Sequence, residues 1–312
     1  MKEKALVLSS FILKIIAIVT MTLDHVGIFL NAYLPQDSAG YIAGNVFRII
    51  GRLAFPLFAF MLAEGMKHTR SRGKYLLRLG GMLVGMLAVE AVLIYGFKAG
   101  SIQGNPFMDL LLGGLAIYLL DQLKKEGAKK WLSLLALLPI AYLAISFAVT
   151  VYEHGHMNPD GTLGIDVIWL PEFLRSDYSL LGLMMILGFY YANDLGELLA
   201  KRQAKLLGVD VEFFKAQKDY RYLLNLEAMI VLLVATVLFW GVSYLGMDSR
   251  GFRPYDVYAM SYQSWAILAM PLLLCYSGQR GYDSKGFRIF TYLYFPLHLA
   301  IIFLIFALQF GY

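Results

Sequence analysis

Val46-Phe-Arg-Ile-Ile-Gly-Arg-Leu-Ala-Phe-Pro-Leu-Phe-Ala-Phe-Met-Leu-Ala-Glu64 is an apolar run with two arginines, Arg48 and Arg52, set inside it. Its length suits a membrane-spanning helix of about 20 residues. A charged side chain at the centre of such a helix costs roughly 3 kcal/mol or more, so an ionisable residue there is a functional candidate by default. The preceding apolar stretch carries Lys14 and, near its end, Asp24-His25. With Glu64, these residues gather lysine, imidazole, guanidinium and carboxylate groups within the first two apolar segments. They point to an active site or a ligand path inside a membrane.

Composition supports the membrane reading. Of 312 residues, 59% are hydrophobic and only 16% charged, against about 25% charged in a soluble domain. The expected fold is an all-α, polytopic helix bundle forming a single domain over residues 1–312, with the lipid bilayer as its first partner. The formal net charge of +5 does not call for nucleic acid, because membrane proteins concentrate Lys and Arg in cytoplasmic loops. A single cysteine, Cys275, rules out an intramolecular disulfide, and no Cys/His cluster has metal-ligand spacing, so no metal is expected. Met1-Lys-Glu-Lys4 followed by Ala5 to Leu23 imitates a secretory signal. Its apolar stretch is too long and lacks a small-residue cleavage pattern, so a retained first span is expected.

Nine apolar segments emerge, near 5–30, 45–66, 75–97, 107–121, 131–151, 177–194, 222–246, 259–277 and 288–310. The fourth is short and opens at Asn105-Pro106. A cytoplasmic N-terminus then places 20 of the 27 Lys and Arg in segments 1–4, 67–78, 121–130, 195–221 and 278–288, and leaves only Lys98, Arg175, Arg250 and Arg253 outside. That asymmetry follows the positive-inside rule. Residues 195–221 read as an interfacial amphipathic helix or a solvated linker helix. The outer loop 152–176 holds His154 and His156, read as ordinary loop histidines, and could cover a site entrance.

Spacing arranges the charged residues further. Lys14 and His25 are eleven residues apart, almost three turns, so they share a helix face roughly 16 Å apart along the axis. Lys14 is expected near mid-span and His25 nearer the outer end. Arg48 and Arg52, four apart, share a face, and Gly51 between them permits close helix approach. His25 suits a general base. Asp24 points about 100° away from it and is expected to pair with Arg48 or Arg52. The alternative is a purely structural ion cluster. Pro56 is expected to kink the second span and free a backbone carbonyl. Glu64 and His68, spaced i to i+4, read as a helix-terminal salt bridge. The segment from Lys67 to Arg78, with Arg70, Arg72 and Lys74, suits the phosphates of a nucleotide-type cofactor or an ordinary lipid-facing anchor. Tyr178, Tyr292 and His298 are second-tier candidates.

Leu13-Lys-Ile-Ile-Ala-Ile-Val-Thr-Met-Thr-Leu-Asp-His25, the run Phe47 to Arg70, Lys74-Tyr-Leu-Leu-Arg-Leu79, Asp177-Tyr178 and Tyr292-Leu-Tyr-Phe-Pro-Leu-His298 together resemble the TraX family. The family's namesake activity is acetylation of the N-terminus of conjugative pilin. The resemblance also extends to a wider group that includes acyltransferase-3 proteins and heparan-alpha-glucosaminide acetyltransferase. It implies a transferase that takes an acyl group from cytoplasmic acetyl-CoA, or another acyl-CoA, to an acceptor at or across the bacterial inner membrane. The acceptor, whether a pilin N-terminus, a polysaccharide or a small molecule, is not carried over. The group's first-span signature, a basic residue, ten residues and a histidine, falls on Lys14 and His25. It implies catalysis by His25 with Asp24, Arg48 and Arg52, and donor binding by Lys14, Arg70, Arg72, Lys74 and Arg78. The chain departs from acyltransferase-3 proteins in having nine spans where their core has ten. A transporter or flippase with an intramembrane anion or proton path, and a non-catalytic assembly factor, are the competing readings.

Overall fold

The structure is a computed structural model, and it describes residues 6–97, 105–124, 130–156, 167–245 and 263–310. The expected positions Lys98, Arg250 and Arg253, much of the outer loop and the His154 side chain lie outside the described set. The fold is helical: α1 (Ser10–Tyr33), α2 (Ala39–Gly51), α3 (Ala54–His68), α4 (Arg72–Ala91, continued by a π-helical turn, Val92–Gly96), α5 (Pro106–Leu120), α6 (Leu137–Gly155), α7 (Ser179–Leu207), α8 (Val211–Lys215), α9 (Lys218–Leu245), α10 (Met270–Leu274) and α11 (Lys285–Phe310). Among the described residues the only strand-like pairing is an isolated bridge between Leu8 and Tyr276.

Helix starts follow the local chemistry. Ser9, Ser38 and Ser71 place a side-chain oxygen against the free N–H groups of α1, α2 and α4, and Asn105 does so for α5 with Pro106 in its first turn. Each satisfies a backbone donor that the helix itself cannot. Seven helical stretches among the described residues are long and apolar enough to cross a membrane: 10–33, 39–68 (α2 and α3 together), 72–96, 106–124, 130–153, 218–241 and 285–310. The expected eighth span is represented by a shorter apolar stretch, Ser264–Leu274.

Two expectations are corrected. Residues 195–207 do not form a separate interfacial helix. They continue α7, which runs unbroken for 29 residues until Gly208, whose φ of +67° ends it. No proline interrupts this run. Two of its glycines instead face α9: a Cβ on Gly188 would meet Val231 at 2.7 Å, and one on Gly196 would meet Leu224 at 2.5 Å. The amphipathic segment is therefore the tip of an antiparallel α7–α9 hairpin, with Leu198, Leu206, Leu207 and Phe213 exposed on it. The second correction concerns Lys14, which lies one turn into α1 and not near its middle. Residues 6–9 are not helical, because Leu8 pairs with Cys275 and Ser277 and Ser9 caps the helix.

α1 and α11 run parallel and in register. Ser10 Oγ is 2.7 Å from Tyr276 Oη beside the start of α11, Thr22 bonds Tyr294 at 2.6 Å, and the Tyr33 and Phe310 rings stack at the far end. α2 descends antiparallel against α1, and α3 continues between α1, α5 and α7. The bundle thus has a basic end, holding Lys67, Arg72, Lys124 and Arg221, and an opposite end holding the Asn105 cap and the α1–α2 turn.

Candidate functional site

Pro56 decides where the second span breaks. It has no N–H to donate, and its ring crowds the carbonyl four residues back, which is that of Arg52. Accordingly α2 stops at Gly51, α3 starts at Ala54, and Arg52 occupies the turn between them. The helix is thus interrupted where the kink was expected. The Arg52 side chain, 4% exposed, donates from one terminal nitrogen to Asp24 Oδ2 and from Nε to the Arg48 carbonyl at 3.3 Å. Arg48 Nε lies 3.9 Å from the other Asp24 oxygen. Asp24 therefore serves both arginines, as the helical geometry of Asp24 and His25 requires.

Glycines allow this closeness. A Cβ on Gly51 would lie 2.2 Å from the Cβ of Asp24, and one on Gly27 would lie 2.6 Å from the Gly44 carbonyl oxygen and 2.8 Å from Arg48 Cγ. No side chain fits there without separating α1 from α2.

His25 turns to the other side of α1, toward α11. Its Nδ1 is 2.8 Å from His298 Nε2, and His298 Nδ1 is 3.1 Å from the Tyr294 carbonyl oxygen. The Tyr294 ring stacks on His298, with centroids 5.3 Å apart, and its hydroxyl is tied to Thr22. Almost three turns back on the same face, Lys14 Nζ sits 5.7 Å from the centre of the Phe287 ring. The eleven-residue step from Lys14 to His25 in α1 is matched by the step from Phe287 to His298 in α11, so the shared face packs against one partner helix.

A third wall comes from the segment ahead of α7. Asp109 in α5 accepts from Ser176 Oγ at 2.5 Å and from the backbone N–H groups of Asp177 and Tyr178 at 2.9 and 3.1 Å. Ser179 follows at φ 57°, a left-handed conformation held by its N–H donating to Ser176 Oγ and its hydroxyl donating to the Leu143 carbonyl. Tyr178 is thereby stacked on Phe55, with ring centres 3.6 Å apart. Asp177 faces the same cluster, with Arg52 and Asp24 among the charges around it.

The other candidates lie elsewhere. Glu64 and His68 stand 3.8 Å apart at the basic end, and Arg221 also reaches Glu64 at 3.2 Å. Arg72 donates to Asp121 at 2.5 Å and to Tyr190 at 2.8 Å, so this cation is held internally. Arg70, Lys74 and Arg78 are exposed, with no carboxylate partner among the described residues. Three of the four loop and α4 cations therefore remain available to phosphate groups. Tyr292 is half-buried and six residues, about 9 Å of helix, from His298 toward the basic end. His156 caps its own helix through the Tyr152 carbonyl.

Three arrangements were not anticipated from sequence: the Asp109 bracket, the pairing of Arg175 with Glu153, and the Arg72–Asp121–Tyr190 network. Asp109 had a usable signal, since a carboxylate inside the apolar run Pro106–Leu120 is costly unless it is bonded. Nothing in the spacing linked His25 to His298, because their contact joins segments 273 residues apart.

The arrangement sets a half-buried imidazole and an anchored guanidinium pair on different faces of α1, with Asp24, Asp177 and Tyr178 near the arginines. Such a set can take up a proton and stabilise an oxyanion. Residues 9–157 match the family described as TraX protein. This stretch is TraX-like. It contains His25, Asp24, Arg48, Arg52 and Asp109, while His298 and Tyr178 lie beyond it. The chain is also 44% identical over 71 residues to the "Probable fimbrial assembly protein FimC, serogroup H1" of Dichelobacter nodosus. That alignment covers 23% of this chain and 27% of the relative, so the chain spans about a quarter of that relative's length. No solved structure gives a significant match.

Proposed function

We propose that this chain is an integral membrane acyltransferase of pilus biogenesis. In this reading it carries an acetyl or other acyl group from acyl-CoA to an amine or hydroxyl acceptor. The match to the TraX family and the relative named for fimbrial assembly support the pilus context. The observation that carries the chemistry is His25, whose ring is fixed by His298, next in the chain to Asp24, which holds Arg48 and Arg52.

Acyl-CoA approaches from the basic end, taken as cytoplasmic by the distribution of Lys and Arg. Arg70, Lys74 and Arg78 meet its phosphates. The acyl carbon reaches His25, and Arg48 and Arg52 face the thioester oxygen. The acceptor heteroatom bonds to the acyl carbon as its proton passes to His25. The C–S bond breaks, and the departing thiolate takes that proton. Asp24 holds the guanidiniums in place throughout.

The test uses envelope fractions containing native acceptors, supplied with labelled acetyl-CoA. The expressed protein is expected to transfer label, and His25→Ala to reduce transfer by about 10²-fold or more. Undiminished labelling by His25→Ala would overturn the mechanism. Uptake of a solute into proteoliposomes without acyl donor would favour transport instead.

A further inference from the structure

His298 lies opposite the face of His25 that would meet a substrate, and its hydrogen bonds decide more than position. The Tyr294 carbonyl oxygen can only accept, so His298 Nδ1, 3.1 Å away, must carry a proton. A neutral His298 then presents a bare Nε2, which can only accept. His25 Nδ1, 2.8 Å from that Nε2, must therefore be the donor. The proton of neutral His25 is on Nδ1, and its lone pair is on Nε2. Nε2 forms no hydrogen bond among the described residues.

We infer that His298 is a positioning residue that selects the Nδ1–H tautomer of His25 and so leaves Nε2 as the proton-accepting atom. This deepens the acyltransferase reading and rests on it for its catalytic consequence, although the tautomer itself does not. The logic matches that of a carboxylate orienting a catalytic imidazole, with a second imidazole in the carboxylate's place. Asp24 cannot fill that role, since it projects from the neighbouring position of α1 and is taken by Arg52 and Arg48. The orienting ring is itself held on both sides: the Tyr294 ring stacks on it with planes 5° apart, and the Tyr294 hydroxyl is 2.6 Å from Thr22 Oγ1. Thr22 Oγ1 donates to the Ile18 carbonyl at 2.8 Å, so Tyr294 donates to Thr22. The Tyr294 ring that stacks on His298 is thus fixed to α1, while the Tyr294 carbonyl sets the proton positions of His298 and His25.

The chain holds five histidines, few enough for ¹⁵N-histidine NMR of the purified full-length protein, with His25→Ala identifying the His25 resonances. The parent is expected to show His25 protonated at Nδ1 and bare at Nε2. His298→Phe keeps the ring volume but offers no acceptor. It is expected to abolish that preference and to lower acyl transfer by about tenfold, the scale of one lost hydrogen bond. His298→Gln, whose amide oxygen can accept from Nδ1, is expected to retain the tautomer and most of the transfer. A His25 protonated at Nε2 in the parent, or an unchanged tautomer in His298→Phe, would overturn the inference. Absence of acyl transfer in the parent with the tautomer as described would instead overturn the proposed activity alone.

Discussion

The Arg175–Glu153 and Arg52–Asp24 pairs are both buried, yet one is saturated and the other is not. Arg175 makes two bonds to Glu153, at 2.5 and 2.8 Å, and its Nε donates to the Leu170 carbonyl. Glu153 also accepts from the Val167 backbone N–H at 2.6 Å. This pair closes the loop ahead of α7 onto α6. Arg52 bonds Asp24 and the Arg48 carbonyl, but Asp24 Oδ1 is buried without accepting a hydrogen bond. A saturated pair has nothing left to offer a ligand. An unsaturated one keeps a buried carboxylate oxygen without a hydrogen bond, a feature that singles this pair out as the candidate for a binding role.

The contrast is most directly broken at the saturated pair. Glu153→Ala leaves Arg175 buried with half its partners gone and is expected to cost about 3–5 kcal/mol of stability, read as a lower melting temperature in detergent. Folded protein that remains is expected to keep normal turnover. Arg52→Lys attacks the other pair. The charge is kept but the planar fork is lost, so transfer is expected to fall by about 10²-fold with little change in melting temperature. If instead Arg52→Lys melts the protein and Glu153→Ala silences it, the two roles are reversed. The smallest effect concerns cations with no internal partner. Neutralising Arg70, Lys74 and Arg78 together is expected to raise KM for acyl-CoA several-fold, about 1 kcal/mol or less per exposed charge, with melting unchanged. An unaltered KM would leave these residues as a lipid-facing anchor.

The basic end supplies a second comparison. Lys67, Arg72, Lys124 and Arg221 there stand among Glu64, Asp121, Asp194 and Glu227, with Arg72 bonded to Asp121 and Arg221 to Glu64. Arg72 and Arg221 are each held by a carboxylate, so this network ties helices together. That is why Arg72, expected to hold donor phosphates, is engaged inside the protein. Sequence spacing could not show this, because Asp121 lies 49 residues away.

The amino-acid sequence by itself determined that this chain is helical and membrane-spanning, since long apolar runs allow no other way to satisfy backbone groups in lipid. It also determined that Asp24, Arg48 and Arg52 come together, because helical periodicity and the neighbouring spans leave few other partners. Pro56 marked the break at Arg52 for an equally local reason. Only the tertiary structure decided that α7 runs on through the amphipathic segment, that Asp109 brackets the turn bearing Tyr178, and that His298 meets His25. Those contacts join elements far apart in the chain, and their register is set by glycine clearances and ring stacking between helices. Periodicity within one helix tells which face a residue occupies; it carries no information about which helix that face will meet.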